Sequence, residues 1–394
     1  MRRFVPFLLL LLLIAAVMRV SFFFTVVYLF AGVYLLTRLW APRILKPLKI
    51  ERRFVDRAFP GQAVPVKVKL HNAGWLPIPW LQVHESLPTA LRPPTLQDQV
   101  FGLGPHAGQQ LCYTLQCRQR GYYPIGPLTV RSGDLLGLAP PNVGEVAPDR
   151  LIVYPRVVSL ERLGLPTRSP FAVLPAPSPL FEDPSRVIGV RDYQWGDSPR
   201  RIHWTATASA GRVLVKQYRP AIARETLIGL DLDQESYPSR QRYTATELAI
   251  VAAASVANHI IVREGLAVGF ATEAHDPLAD ALTRFSLPSR GERAHLMHIL
   301  EVLARVQVAK TRPFVDLLRR ESARLSWGAT VLAITGHESE ALFDTLVYLR
   351  HAGLAVALIL IQPGRPSPEL QKRAGLLKLA VHRVWREEDL ETWP

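Results

Sequence analysis

Cysteine is nearly missing from this chain of 394 residues, which holds only Cys112 and Cys117. They lie in an alternating stretch at an odd separation, so their side chains are expected on opposite faces of one strand. This argues against a disulfide framework, in agreement with a reducing compartment. Acidic residues also run short, 33 against 47 lysines and arginines, for a formal charge of +14. The excess is spread along the whole chain and no nucleic-acid module accompanies it, so attraction to an anionic membrane face accounts for it better than nucleic acid does. Missing too are a Walker phosphate loop, a Gly-x-Ser-x-Gly elbow, a His-Glu-x-x-His helix and a Cys-x-x-Cys pair. No recognised enzyme class is supported, and no catalytic residue is assigned.

What is abundant is apolar sequence at the start. Phe4 to Leu36 is interrupted by Arg19 and a few hydroxyl residues. One straight helix of that length would run about 50 Å against a hydrocarbon core of about 30 Å. Spanning with the second half alone would leave Leu8 to Leu13 in water, at about 1.5 kcal/mol or more per side chain. A helical hairpin over residues 1–40, turning at Arg19-Val20-Ser21, buries both halves and keeps Arg19 at the headgroups. Arg2 and Arg3 precede it, and Arg38, Arg43, Lys46, Lys49, Arg52 and Arg53 follow. Both ends are then cytoplasmic, giving a two-span anchor in an inner (plasma) membrane with the bulk of the chain inside. No small-x-small site follows the leucine run, which argues against a cleaved signal peptide.

Residues 50–160 alternate in the manner of short strands. Val64, Val66, Val68 and Leu70 face one way and Pro65, Lys67, Lys69 and His71 the other, up to a turn at Asn72-Ala73-Gly74. Further strands are expected at Trp80–Glu85, Gln110–Cys117, Pro127–Arg131 and Leu151–Tyr154, an antiparallel immunoglobulin-like β-sandwich. The glycines and prolines here read as turn and edge residues, unless Trp75 or Trp80 proves exposed. Residues 161–188 carry six prolines between Leu163 and Pro184 and read as an extended linker.

The most chemically committed stretch follows. Trp195-Gly196-Asp197 reads as a turn, Ser198-Pro199 as a helix start, Gly211 as its end, and Val213–Lys216 as a strand. Arg191, Asp197, Arg200 and Trp204 can form an arginine–carboxylate cluster stacked on an indole, either an internal brace or a binding surface. The spacing Arg191-x-Tyr193-x-x-Gly196-Asp197-x-x-Arg200-x-Ile202-x-Trp204 resembles the signature of the bacterial domain-of-unknown-function family 58. Asn72-x-x-x-x-Pro77-x-Pro79-Trp80-Leu81, and Arg120-Gly121-x-Tyr123-x-x-Gly126-Pro127 leading to Asp134-x-x-Gly137-Leu138, resemble it too. Ser209 departs from the pattern where the family carries a basic residue. The resemblance implies a partner, a MoxR-type AAA+ ATPase, together with other type-A-domain proteins, and a role in assembly or maturation of envelope or enzyme complexes.

From residue 226 strands alternate with helices. Thr226–Asp231, Leu266–Ala271, Thr330–Ile334 and Leu354–Ile361 are apolar strands; Tyr243–Arg263, Glu292–Val308, Pro313–Leu325 and Glu338–His351 are helices. Residues 189–394 thus join the signature to an α/β domain with a mostly parallel sheet, making the whole chain α+β multidomain. Asp231, Asp233, Glu235 and Ser236 after the first strand resemble the metal-ion-dependent adhesion site of von Willebrand factor type A domains. Both of its serines are replaced here, by Asp233 and Glu235, and Thr272 and Thr335 follow later strands. Three carboxylates can hold Mg²⁺ or Ca²⁺ through oxygen, or form a solvated acidic loop. His295 and His298 share a helix face and read as surface residues. The expectation for function is a non-enzymatic, membrane-anchored adaptor or assembly factor. The rival is an enzyme or anion-binding protein built on the Arg191–Trp204 cluster, with Asp197 and His203 as its acid–base pair.

Overall fold

A computed structural model describes residues 10–14, 17, 21–40, 43–91, 98–134, 141–160, 182–194, 197–220, 225–363 and 379–391. They divide into two compact units, residues 1–155 and 156–394. The first begins with helix α1 (Ser21–Trp40), which lacks acidic residues in its first turn and has Arg38 in its last. Twenty residues at 1.5 Å each span about 30 Å, one hydrocarbon core. Phe22, Tyr28, Leu29, Leu35, Leu36 and Leu39 are exposed along it. A water-facing helix with that surface would be costly, whereas acyl chains would match it. Residues 10–14 and 17 are also helical, but the hairpin turn at Arg19-Val20 lies outside the described residues.

The sandwich that follows comprises three sheets around one core. Strands β1 (Leu48–Arg53), β3 (Ala63–Asn72) and β6 (Gly108–Gln116) form an antiparallel sheet in the order β1-β3-β6. Strands β4 (Ile78–Glu85), β5 (Gln99–Leu103), β8 (Leu128–Ser132) and β9 (Asn142–Val146) form a second, ordered β5-β4-β8-β9. The third joins β2 (Arg57–Ala58), β10 (Asp149–Val153) and β7 (Gly121–Ile125), with β2 and β10 parallel. Val64, Val66, Val68 and Leu70 all point into the core, as their alternation requires. Cys117 is buried and Cys112 exposed, on opposite faces as expected.

The sandwich's share of the family strings is used internally. Buried Asn72 donates through Nδ2 to the carbonyls of Leu76 (2.8 Å) and Gly104 (3.0 Å), and its Oδ1 accepts the Gly74 N–H at 3.0 Å. One side chain thereby fixes the turn before Pro77. The Tyr123 hydroxyl donates to the carbonyls of Gln119 and Arg120, and a Cβ on Gly121 would strike its ring. Trp80 Nε1 donates to the Asp134 carbonyl at 3.2 Å, whereas Trp75 is 77% exposed. The end of the second string, Gly137-Leu138, lies outside the described residues.

The second unit opens with a two-stranded antiparallel ribbon, β11 (Glu182–Asp192) against β12 (Leu214–Pro220). Residues 161–181 of the expected linker lie outside the described residues. Its end is corrected: residues 182–188 are strand, and Pro184 falls in the register shift between Asp183 and Val187, where a missing N–H breaks no ladder bond. The sheet beyond comprises β13 (Glu225–Leu230), β14 (Ala267–Asp276), β15 (Ala281–Arg290), β16 (Thr330–Thr335), β17 (Ala355–Ile361) and β18 (Ala380–Val384), in the order β15-β14-β13-β16-β17-β18. All its pairings are parallel except β14 with β15. This is the order of a doubly wound sheet whose direction reverses between β13 and β16.

Helix Arg242–Asn258, extended by a wide turn to Arg263, is apolar all round because it is almost wholly buried. Gly265, at φ 65°, follows it as expected. His295 departs from expectation: it is buried, with Nε2 2.8 Å from the Val268 carbonyl, and its removal from water lowers its pKa. It fastens helix Arg293–Arg305 to the sheet, while His298 remains exposed.

Candidate functional site

Two constellations stand out in the second unit. The first is in the ribbon, where β11 turns back towards β12. Arg191 holds Asp197 through two parallel bonds, Nη1 to Oδ2 and Nη2 to Oδ1, each 2.7 Å. Asp197 Oδ2 also accepts the Gln194 N–H at 2.9 Å, and the Asp197 N–H donates to the Gln194 carbonyl at 3.0 Å. The Arg191 bonds, and then the Gln194 N–H, hold the Asp197 carboxyl below the usual carboxylate range. Asp197 is thus a turn-closing anion, suited neither to give nor to take a proton near neutral pH. Gly196, with Trp195, lies outside the described residues.

The expected single helix from Ser198 to Gly211 is corrected. Pro199–Arg201 is one tight 3₁₀ turn, Ile202 is extended and bridges to Val215, and only then does helix Trp204–Ala210 begin. The bridge takes Ile202 out of the helix because the strand across from it supplies a backbone partner. His203 caps the second helix, its Nδ1 accepting the Ala206 N–H at 3.1 Å, so the ring nitrogen facing the helix is occupied. Gly211, at φ 65°, closes it, and its N–H bonds the Thr207 carbonyl. Only Arg191 and Asp197 of the expected four-residue cluster are paired. Arg200 is exposed, Tyr193 is exposed, and Trp204 is 70% exposed.

The second constellation lies at the carboxyl ends of β13 and β16, where the sheet order reverses and ligands of such sheets bind. Asp231 is 3% exposed. Thr335, at the end of β16, donates to its Oδ2 at 2.7 Å, and the Asp233 N–H to its Oδ1 at 3.0 Å. Ser236 adds a side-chain bond, and the Tyr237 hydroxyl donates to the Asp231 carbonyl at 2.7 Å. Burial pushes the carboxyl above its usual range against the pull of these donors. Gly336 is required where the chain passes them, since a Cβ would overlap the Tyr237 ring. Thr272 turns to the Leu230 carbonyl at 2.8 Å, strapping β14 to β13.

The three carboxylates are not brought together. Asp233 Oδ1 accepts the N–H groups of Glu235 and Thr311, each at 3.4 Å, and Glu235 pairs with Lys310 at 3.3 Å. Among the described residues no group of three or more His, Cys, Asp or Glu side chains is placed to hold a metal ion. Asp231 spends its oxygens on protein donors, so the donor set does not fit a cation held by the triad. Tyr237 escaped the reading of the sequence; the only sign was an aromatic before Pro238, too common a pattern to point to Asp231.

Residues 189–346 match the family model described as "Protein of unknown function DUF58". Over those residues the chain is similar to the DUF58 family. It is also 24% identical over 252 residues to the uncharacterized protein YeaD of Bacillus subtilis, covering 64% of this chain and 58% of that protein. The chain thus spans less than two thirds of that relative's length. Among solved structures, the conserved hypothetical protein BatB from Bacteroides thetaiotaomicron is 14% identical with a TM-score of 0.31, over 43% of this chain and 93% of that one. A von Willebrand factor type A protein from Catenulispora acidiphila is 11% identical with a TM-score of 0.29, over 45% and 42%. The CARDB domain of the PF1109 protein from Pyrococcus furiosus is 18% identical with a TM-score of 0.20, over 27% and 91%. The DUF58 match takes in both constellations, the ribbon turn and the end of the sheet.

Proposed function

We propose that this chain is a membrane-anchored adaptor or assembly factor that acts through protein contacts rather than by catalysis. The supporting observation is the division of labour in the signature turn. Arg191 and Asp197 close on each other, and His203 is occupied as a cap, so the groups that could do chemistry serve as a brace. Beside them Trp204, Tyr193 and Arg200 face outward, and Trp, Tyr and Arg are the residue types that dominate binding energy at protein interfaces. The partner is a MoxR-type AAA+ ATPase, as the resemblance implies, with other type-A-domain proteins as further candidates. The anchor is a two-span hairpin in the inner membrane, with the bulk of the chain cytoplasmic; the exposed apolar length of α1 and the basic residues that follow it support this. Mg²⁺ and Ca²⁺ have no part in the reading, because the carboxylates that would hold them are turned to other partners.

The test is affinity purification of the full chain, solubilised in detergent from its native cells, beside Trp204→Ala and Glu235→Ala variants. Wild type recovers an AAA+ ATPase and Trp204→Ala recovers at least about tenfold less, the effect expected for an interface tryptophan. Recovery of no partner by folded wild type, or equal recovery by every variant, contradicts the adaptor reading. An anion or metabolite bound by wild type and lost on Arg200→Ala would instead favour the binding protein or enzyme built on the same cluster.

A further inference from the structure

Away from both constellations, a cleft of about 530 Å³ opens where the later half of β14 and the earlier half of β15 meet the start of helix Phe314–Ser322. Arg284, Arg312, Arg319 and Arg320 line it, against two acids, Glu273 and Asp316. Glu273 is already engaged, accepting the Arg312 backbone N–H at 3.2 Å. Among the described residues none of the four guanidinium groups has a hydrogen-bond or ion-pair partner. Elsewhere in this unit Arg191, Arg212, Arg305 and Arg383 each pair with a carboxylate; here four arginines without such a partner share one cleft. The helix that forms the cleft's wall starts at Pro313 with no side-chain cap, which leaves first-turn N–H groups without a side-chain acceptor.

We propose that this cleft binds a small ligand bearing two or more phosphate groups. Four arginines against two carboxylates leave two uncompensated positive charges, a match for a compact polyanion. Guanidinium forks bind phosphate oxygens in pairs, and an uncapped helix start adds backbone donors and a favourable dipole. The volume is that of a small-molecule site. An acidic peptide fits less well, because among the described residues lining the cleft Pro313 and Leu317 alone are apolar and give its side chains little to grip. Soluble ligands and lipid headgroups both carry such groups, and their shared chemistry is the closely spaced phosphate pair.

Calorimetric titration of the detergent-solubilised full chain with inorganic pyrophosphate tests this. Wild type binds pyrophosphate. Arg284→Gln/Arg320→Gln binds it at least about tenfold more weakly, the loss of charge-assisted bonds, and Arg312→Gln/Arg319→Gln does the same by an independent route. Arg118→Gln, an exposed arginine of the first unit, leaves the affinity unchanged. Repeating the titration in nanodiscs distinguishes the sources: suppression by cardiolipin assigns the site to a diphosphate headgroup, and no suppression assigns it to a soluble ligand. Absence of pyrophosphate binding to folded wild type overturns the proposal. So does an Arg118→Gln loss equal to that of the cleft variants, or an oligoglutamate peptide that displaces pyrophosphate at lower concentration.

Discussion

Replacing Thr335 by valine removes one hydroxyl and very little volume, at a position 1% exposed to solvent. The hydroxyl donates to Asp231 Oδ2 at 2.7 Å and accepts the His337 N–H at 3.2 Å. A hydrogen bond to a buried charged group is worth about 1.5–3 kcal/mol, and the valine methyl can offer Asp231 nothing in return. For a unit of this size each kcal/mol moves the midpoint by roughly 2–4 °C, so the shift should be about 3–12 °C. Chemical or thermal unfolding of the full chain in detergent, followed by the transition of the sheet unit, reads it directly. Thr345→Val is the internal control: Thr345 is equally buried but donates only to the Ala341 carbonyl within its own helix at 2.8 Å, so its loss should cost at most about 1 kcal/mol. If Thr335→Val unfolds within about 0.5 kcal/mol of wild type, the bond across the reversal of sheet order does not hold Asp231, and the account of that site fails.

The Asp197 carboxyl should titrate below 3.8 by carbon-detected NMR, and Arg191→Ala should return it towards that value. Its depressed pKa contributes stability that is present above the unfolded-state value and lost as pH falls through the folded one, so the loss is confined to acid below about pH 4. In the sandwich, Glu85 is buried against Arg52 at 2.8 Å and accepts the Tyr113 hydroxyl. Burial raises its carboxyl above 4.5 despite those partners. A raised carboxyl binds more protons folded than unfolded, so its contribution to stability falls as pH rises from 4.5 through the folded value. Tyr113→Phe removes a donor to the charged form and should raise the Glu85 midpoint further. Deleting residues 1–40 should release the protein from membranes by fractionation; retention of the truncated form would refute the anchor.

How legible these features were in the sequence depended on whether local pattern decided them. The alternation of Val64, Val66, Val68 and Leu70 fixes a half-buried strand by itself, and the unbroken apolar runs of β13, β16 and β17 fix a sheet covered on both faces. Strand β15 was missed because it is an edge: Arg284, Ser286 and Ser289 dilute its apolar residues and Pro288 reads as a breaker, which an edge strand tolerates. The signature helix was read as continuous because nothing near Ile202 announces its bridge to Val215, a contact made only in the folded ribbon. Spacing also placed Asp231, Asp233 and Glu235 on one turn, correctly. It could not tell where three side chains point once the turn has its own hydrogen bonds to close.

The most direct test of the adaptor reading is a photocrosslinking amino acid placed at position 204 of the full chain in its native cells, with position 345 as a buried control. The account predicts an adduct with an AAA+ ATPase from position 204 and none from position 345. A folded, membrane-retained protein that yields no protein adduct from position 204 would contradict it.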